Sequence, residues 1–253
     1  MKQQKSAIKV TIFSTLLFGV LGTINVNPVE AAIALDRTRV IFNGEKNSVS
    51  MSISNENKQL PYLAQGWIED EKGNKITSPL IVLPPVQRIE ASEKSQIKIQ
   101  QLADISQLPQ DRETLFYFNL REIPPRSEKP NTLQIALQTR IKLFYRPKSI
   151  VATKEKLANP WQEKLTLTRK GNQYQVNNPT PYYITLVDAA PSKGQSLSSF
   201  EPLMIAPFGN DVLSSRVNEL GSSPVLVYVN DYGGRPNLNF RCKQELCVVD
   251  ANK

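Results

Sequence analysis

From residue 33 to residue 249, short runs of alternating apolar and polar residues follow one another, and turn residues separate them. No stretch in this range sustains the spacing of three and four residues that an amphipathic helix needs. Because neighbouring side chains of a β-strand point to opposite faces of a sheet, the alternation predicts strands that bury one face. The sequence therefore predicts an all-β fold.

The first half of the chain contains about seven such runs in about 115 residues, which is typical of an immunoglobulin-like β-sandwich. Six runs are predicted as strands: 33–42, 49–53, 62–69, 97–101, 115–123 and 131–145. Pro84 and Pro85 interrupt a further run, so we expect its strand at an edge or at a switch between sheets. Residues 103–108 are predicted as one short helical turn.

The segment 147–161 lacks alternation and carries Pro147 and Pro160, which makes it the candidate linker between two domains. Alternation then resumes and predicts a second, smaller β-sandwich. Its expected strands are 165–168, 174–176, 182–187, 203–205, 225–229, 238–240 and 247–249. The predicted domains are residues 32–150 and residues 151–253.

The N-terminus has the composition of a secretion signal. Lys2, Lys5 and Lys9 precede a short apolar run at 10–20, and Val29-Glu30-Ala31 offers a small-residue cleavage site before Ala32. A membrane anchor is the competing interpretation, but the apolar run is short for a bilayer and polar residues interrupt it. We therefore predict a signal peptide over residues 1–31 and export of the mature chain.

The residue content argues against catalysis. Because the chain has no histidine, it has no Ser-His or Cys-His nucleophilic pair and no His-ligated metal site. P-loop, GxGxxG and GxSxG motifs are absent as well. Glu69 and Asp70 would point to opposite faces of a strand, and Asp111 and Glu113 are most simply charges at a turn. The sequence predicts neither an enzyme nor a metal site.

The formal net charge is +8, and removal of residues 1–31 leaves 28 basic against 22 acidic residues, a net charge of +6. A basic protein can attract nucleic acid or a membrane surface. Export makes nucleic acid a poor partner, and a solvated surface explains a modest positive excess equally well.

Cys242 and Cys247 are the two cysteines of the chain. In an exported protein, a closely spaced pair predicts a disulfide bond. Free thiols or a redox pair are the alternatives. The disulfide would close a small loop, so we expect a modest stabilisation.

The stretch 131–147, NTLQIALQTRIKLFYRP, alternates regularly and turns basic partway along. Such a strand can pair with the sheet edge of a partner, although most alternating strands simply bury one face in their own core. Arg37 and Arg39 share one parity in the first predicted strand. Arg39 and Lys142 would converge on one cleft if the first and last strands are neighbours, and such a pair favours a carboxylate. Charges at a solvated surface are the simpler alternative.

Several separated segments together resemble the periplasmic pilus-assembly chaperones of the chaperone/usher class, most closely the PapD-like type. They cover most of residues 32–242, and residues 188–222 are the least diagnostic part. The resembling segments read LDRTRVIF, SNENKQLPYLAQGWIE, LPPVQRIE, LPQDRETLFYFNLREIPPRSEK, LQIALQTRIKLFYRP, NPTPYY and NDYGGRPNLNF.

The resemblance implies two immunoglobulin-like domains in a boomerang arrangement with a cleft between them. It also implies donor-strand complementation, in which the chaperone lends its last first-domain strand to a pilin subunit that lacks one. The donor strand would be 131–145, with Leu133, Ile135 and Leu137 as the donated side chains. The short loop before this strand resembles that of the subfamily that serves rod-shaped fibres.

The resemblance further implies that Arg39 and Lys142 anchor the C-terminal carboxylate of the subunit. Glu113, Arg146 and Asp231 match an inter-domain ion network of the family. The implied partners are pilin subunits and the outer-membrane usher, and no cofactor is needed.

Two points stay open in the sequence. Lys142 has the opposite parity to Leu133, Ile135 and Leu137, so a bulge or accumulated twist would be needed to bring them to one face. The exposed donor edge would invite aggregation, which suggests a self-capping homodimer through residues 131–137. The alternative class is a two-domain structural or adhesive protein of the cell surface, with 131–145 as an ordinary core strand.

Overall fold

The computed structural model describes residues 32–153, 159–192 and 195–250, and in this part of the chain the protein is nearly all β. The predicted signal peptide lies outside the described residues. The first half forms ten strands: β1 (Ile33–Leu35), β2 (Arg39–Asn43), β3 (Ser48–Asn55), β4 (Tyr62–Glu69), β5 (Lys75–Ile76), β6 (Leu80–Leu83), β7 (Val86–Ile89), β8 (Lys94–Gln101), β9 (Thr114–Ile123) and β10 (Gln138–Arg146).

These strands form the two layers of an N-terminal β-sandwich. One sheet has the order β1-β3-β8-β6, and the other has the order β2-β10-β9-β4-β5 with β7 beside β4. Among the described strands, β2 and β10 pair in parallel and all the other pairs are antiparallel. Alternate residues of both sheets bury one continuous core, with Phe42, Met51, Ile97 and Phe118 fully enclosed. The predicted sandwich of the first half is confirmed.

The two layers approach closely at Gly66 in β4. A Cβ atom there would lie 2.6 Å from Ile97 Cδ1 and 2.9 Å from Val82 Cγ1, so a larger residue would push the opposite sheet away. The sequence of β4 therefore has a glycine at a position whose parity is otherwise apolar.

The predicted strand 33–42 is wrong as a single strand. It divides into β1 and β2, which lie in different sheets. The division follows Asp36, whose carboxylate accepts the backbone N–H of Ser52 at 3.0 Å and ends the pairing of β1 with β3. The chain then crosses to the second sheet, so β2 begins at Arg39.

The predicted strand 131–145 is also too long, because β10 begins at Gln138. Continuing the register of β10 with β9 would place Ile135 and Gln134 opposite Pro124 and Pro125. Proline has no backbone N–H to donate to a ladder, so the pairing stops there. One further backbone bond extends it, from Glu122 N–H to the carbonyl of Leu137 at 3.0 Å.

The second half forms a C-terminal β-sandwich around its own core. The strands are β11 (Thr166–Lys170), β12 (Gln173–Asn177), β13 (Ile184–Ala190), β14 (Leu203–Ile205), β15 (Asn210–Arg216), β16 (Val225–Val229), β17 (Asn237–Lys243) and β18 (Leu246–Val249). Their order is β14-β13-β16-β17-β18-β11-β12-β15, and one helical turn, α1 (Val217–Leu220), follows β15.

β15 was not predicted from the sequence, because its pattern is inverted, with Val212 exposed and Ser215 buried. The short helical turn predicted at 103–108 is present as a 3-10 helix, Ala103–Gln107. Two further 3-10 helices, Lys148–Ile150 and Trp161–Lys164, flank the linker. Across the described ranges, no helix has the length and apolar character required to cross a membrane.

Candidate functional site

Arg39, Lys142 and Arg146 lie on the face of the six-stranded sheet that points away from the N-terminal core. In β2, Val40 and Phe42 enter the core, so Arg39 lies on the other face. In β10 the core residues have odd numbers, Ile141, Leu143 and Tyr145. Lys142 and Arg146 therefore share the outer face with Arg39 because strand parity requires it.

Arg39 and Lys142 stand directly opposite each other in the parallel register of β2 and β10. Each also reaches the C-terminal sandwich: Arg39 Nη1 donates to the carbonyl of Val229 at 3.3 Å, and Lys142 Nζ donates to Thr185 Oγ1 at 3.2 Å. Buried Nε of Arg39 has no hydrogen-bond partner among the described residues. The structure thus brings the two predicted anchor residues together between the sandwiches, with donor capacity left unused.

The electrostatics of this pair favour an anion. Burial and, to a smaller extent, the neighbouring charge of Arg39 together lower the pKa of Lys142 to about 8. Burial also lowers the pKa of Arg39, against the attraction of Asp231 and Glu113. Two half-buried cations that repel each other are stabilised by an anion that contacts both.

A cavity of about 470 Å³ opens beside Arg39. Arg37, Asp36, Asp231 and Tyr232 contribute to its wall, whereas Lys142 lies outside the lining. Arg37 forms an ion pair with Asp36 at 2.7 Å and is partly exposed, so it does not share the position of Arg39 between the sandwiches.

Arg146 joins the two sandwiches through a network of charges. It donates to Glu113 Oε1 at 2.7 and 2.9 Å and to the two oxygens of Asp231 at 2.9 and 3.2 Å. The side chains of Arg146 and Glu113 are only 3% and 2% exposed. Glu113 also accepts the backbone N–H of Tyr183 at 2.8 Å. The structure brings together all three residues of the expected network.

The network is nearly dry, and its pKa values reflect this. Burial raises the pKa of Glu113 to about 7, against the lowering effect of Arg146. Burial lowers the pKa of Arg146, but the two carboxylates outweigh burial and leave that pKa above its usual value. The earlier interpretation of Glu113 as a charge at an ordinary turn does not agree with its burial.

The turn NDYGG of the C-terminal sandwich positions Asp231. Gly233 has φ = 85°, and a Cβ atom there would lie 2.8 Å from Thr38 Oγ1. The turn therefore needs glycine both for its left-handed backbone and for its close approach to the residue before Arg39. The turn lies against the N-terminal sandwich.

The three expected donor residues differ in exposure. Leu133 is 84% exposed and Ile135 is 63% exposed, whereas Leu137 is partly buried at the entry to β10. Their odd parity continues the line of Ile141 and Leu143, which face the core. We call residues 133–137 the donor segment.

Of the two features that could bring Lys142 to the face of the donor residues, a bulge or accumulated twist, the bulge is absent from β10, whose register with β9 is continuous from Gln138 to Tyr145. Lys142 therefore stays on the face of β10 opposite to Ile141 and Leu143, as its parity requires. The odd-numbered residues of β10 face the N-terminal core, and even-numbered Lys142 contacts the C-terminal sandwich.

Thr185 and Val229, the contacts of Lys142 and Arg39 in the second sandwich, were not predicted from the sequence. No local pattern marks either residue, because the contact arises only when the sandwiches pack together. Cys242 and Cys247 form the predicted disulfide across the hairpin of β17 and β18. The described residues contain no group of three or more acidic, cysteine or histidine side chains that could hold a metal ion.

The two β-sandwiches and the charged site between them define an assembly chaperone of the PapD family, and the chain belongs to this family. Residues 32–151 match the pili and flagellar-assembly chaperone PapD N-terminal domain, and residues 160–240 match the pili assembly chaperone PapD C-terminal domain. The family expected from the sequence is confirmed, and its members are chaperones rather than enzymes.

Among curated proteins, the chain is 55% identical to the probable fimbrial chaperone YfcS of Escherichia coli K12 over 88% of both chains. It is 50% identical to the chaperone protein PapD of Escherichia coli, over 90% of this chain and 94% of PapD.

Among solved structures, the periplasmic chaperone SfaE matches with a TM-score of 0.66 and 31% identity, over 82% of this chain and 98% of SfaE. A chain from the complex of Salmonella enterica SafA pilin with the SafB chaperone matches with a TM-score of 0.68 and 26% identity, over 84% of this chain and 97% of that one. The expected fold of two immunoglobulin-like sandwiches is confirmed.

Proposed function

We propose that this protein is a periplasmic chaperone that binds, folds and caps pilin subunits by donor-strand complementation and delivers them to the outer-membrane usher. One observation carries the proposal. The donor segment presents exposed, alternating aliphatic side chains on an unpaired edge that leads directly to Arg39 and Lys142. The solved complex of SafA pilin with the SafB chaperone supports the choice of partner.

The geometry of this edge defines how a partner strand would lie. Beyond Lys142, β2 occupies the edge of β10, and β2 begins at Arg39. A partner strand alongside residues 133–141 must therefore stop where β2 begins. If it ends there with its C-terminus, it runs parallel to β10, and its terminal carboxylate meets Arg39 and Lys142.

In this arrangement, the charges of Arg39 and Lys142 would set the register between the subunit strand and the donor segment. The two cations fix where the chain of the subunit ends, and this position decides which subunit pocket receives each donor residue. Burial of Leu133 and Ile135 would contribute about 1.5–3 kcal/mol each. Each backbone hydrogen bond adds about 0.5–1.5 kcal/mol net. We propose that no cofactor is needed, since these contacts supply the energy of capture.

The ion network has a separate role in this proposal. Arg146 connects Glu113 of one sandwich to Asp231 of the other, so it holds the two domains, which we assign to residues 32–150 and 151–253, in one relative position. Because Arg39 and Lys142 each contact the second sandwich, the same position sets the geometry of the anchor.

Export and the remaining partners complete the proposal. Removal of residues 1–31 would release the mature chain into the periplasm, where an oxidising environment would maintain the bond between Cys242 and Cys247. The name of the matched periplasmic chaperone SfaE supports this compartment. In the absence of a subunit, the donor segment would be covered by a second copy in a self-capping homodimer. Nucleic acid is not a proposed partner.

The cell-surface alternative treats 131–145 as an ordinary core strand. The exposure of Leu133 and Ile135 does not agree with it. Sedimentation over a range of concentrations tests the homodimer: a species that stays monomeric throughout would contradict it.

Coexpression with pilin subunits of the same organism tests the function. We expect a stoichiometric complex to copurify, and we expect Leu133→Ser with Ile135→Ser to lose it while keeping the melting temperature. Leu246→Ser, at another exposed leucine, is the matched control. Arg39→Ala should also abolish capture, and Arg169→Ala, at an exposed arginine, should not. Normal subunit yield with Arg39→Ala would refute the anchor role.

A further inference from the structure

A buried carboxylate close to the start of the mature chain is not used by the site described above. Glu122 in β9 is 6% exposed, and its side chain points to the core side of the N-terminal sandwich. Its Oε2 accepts the backbone N–H of Ile33 at 2.9 Å. None of the salt bridges among the described residues includes Glu122. A carboxylate that is so nearly buried is expected to have a cationic partner.

The missing cation is available from the chain itself. Ala32 precedes Ile33, and the backbone nitrogens of consecutive residues are at most about 3.7 Å apart. Cleavage between residues 31 and 32 would turn the nitrogen of Ala32 into an ammonium group. This group would lie within about 7 Å of the Glu122 carboxylate, and the freed terminal residue can rotate to close that distance.

We propose that Glu122 is the binding site for the α-ammonium group of Ala32 that proteolytic processing creates. This inference rests on the export and cleavage included in the proposed function. Ala32 is itself buried, and its carbonyl accepts the backbone N–H of Glu56 at 2.7 Å, so this carbonyl is held beside β3 while rotation about the Cα–C bond can move the terminal nitrogen.

The pair has a consequence for the donor segment. The backbone N–H of Glu122 donates to the carbonyl of Leu137, the last residue of the donor segment. Glu122 therefore contacts the N-terminus through its side chain and the base of the donor segment through its backbone. Formation of the ion pair stabilises the end of β9 and thus the point from which residues 133–137 leave the sheet.

Glu56 is the competing acidic partner. It lies near Ala32, but it is exposed, and its carboxylate accepts the hydroxyl of Ser54 at 2.5 Å. An exposed pair with the terminal amine would contribute little, because water solvates both charges. The burial of Glu122 therefore makes it the stronger partner.

A coupling cycle tests the pair. The mature chain beginning at Ala32 is compared with the same chain carrying one additional N-terminal glycine, which moves the ammonium group away by one residue. We expect the extension to raise the equilibrium constant for unfolding in urea about tenfold. The same extension should have no effect in Glu122→Gln, and in the control Glu56→Gln it should keep its full effect. Equal effects in the parent chain and in Glu122→Gln would overturn the proposal, as would loss of the effect in Glu56→Gln alone.

Hydrogen exchange gives a second measurement that needs no substitution at Glu122. The amides of Ile33 and Glu122 should exchange about tenfold faster in the extended chain, and unchanged protection would overturn the proposal. N-terminal sequencing and pilin capture on the same samples separate the two hypotheses. A chain that starts at Ala32 and captures pilin without the coupling refutes the ion pair alone. The coupling without capture refutes the proposed function alone.

Discussion

Binding of a subunit carboxylate should depend on pH through Lys142. Burial and Arg39 together lower the pKa of Lys142 to about 8 in the free protein. A carboxylate bound beside it would favour the charged form and raise this pKa again. The complex therefore takes up a proton when it forms above about pH 8. Affinity should be constant below that pH and should fall as the pH rises.

The size of the effect follows from the lowered pKa of Lys142. At pH 9, about one free molecule in ten carries a charged Lys142, so the affinity should fall by at most about tenfold relative to pH 7. For folding, the sign is opposite. A lysine whose pKa is lowered in the folded protein binds fewer protons in the native state than in the unfolded state. Its contribution to stability therefore increases as the pH rises from about 8 to the pKa of lysine in the unfolded chain.

The assay is fluorescence anisotropy with a labelled peptide of the pilin C-terminal strand, measured from pH 6.5 to 9.5 at constant ionic strength. Because the chain has no histidine, the other groups expected to titrate in this pH range are Glu113 and the terminal amine. Lys142→Arg keeps a cation at this position but removes the group that titrates. The affinity of this variant should therefore lack the decrease above about pH 8 that Lys142 causes in the parent protein. A peptide with an amidated C-terminus should bind weakly at every pH. The same slope in Lys142→Arg and in the parent protein would refute the reasoning.

Two further predictions concern stability. Arg146→Met leaves Glu113 buried without its partner, so the free energy of unfolding in urea should fall by about 3–5 kcal/mol. Arg140→Met, at the more exposed ion pair with Glu69, should lower it by no more than about 1 kcal/mol. Equal losses in the two variants would contradict the reasoning that burial makes the loss of an ion-pair partner costly. Cys242→Ser with Cys247→Ser opens a loop with a sequence separation of 5 and should lower the same quantity by about 2 kcal/mol, and identical urea midpoints with and without reductant in the parent protein would contradict this value.

Alternation predicted the fold class because burial of one face is a local property of a strand. In the structure, Arg39 and Lys142 each lie on the face that the parity of its strand requires. The division of 33–42 into β1 and β2 was not predictable from alternation. Both halves keep an apolar face, and only the crossing between sheets after Asp36 separates them. The contacts with Thr185 and Val229 depend on the packing of two sandwiches, which no local pattern encodes.

The donor segment shows why periodicity and pairing are separate properties. Residues 133–137 have the same alternation as 141–145, yet the first group is largely exposed and the second lies in the core. The difference comes from the neighbouring chain, where Pro124 and Pro125 stand opposite Ile135 and Gln134 in the extended register. Because these prolines have no N–H groups, the chain after β9 cannot pair with the donor segment. The alternating side chains of the donor segment therefore have no core within their own sandwich. A strand that keeps its pattern without a partner in its own sheet remains available to pair with another chain.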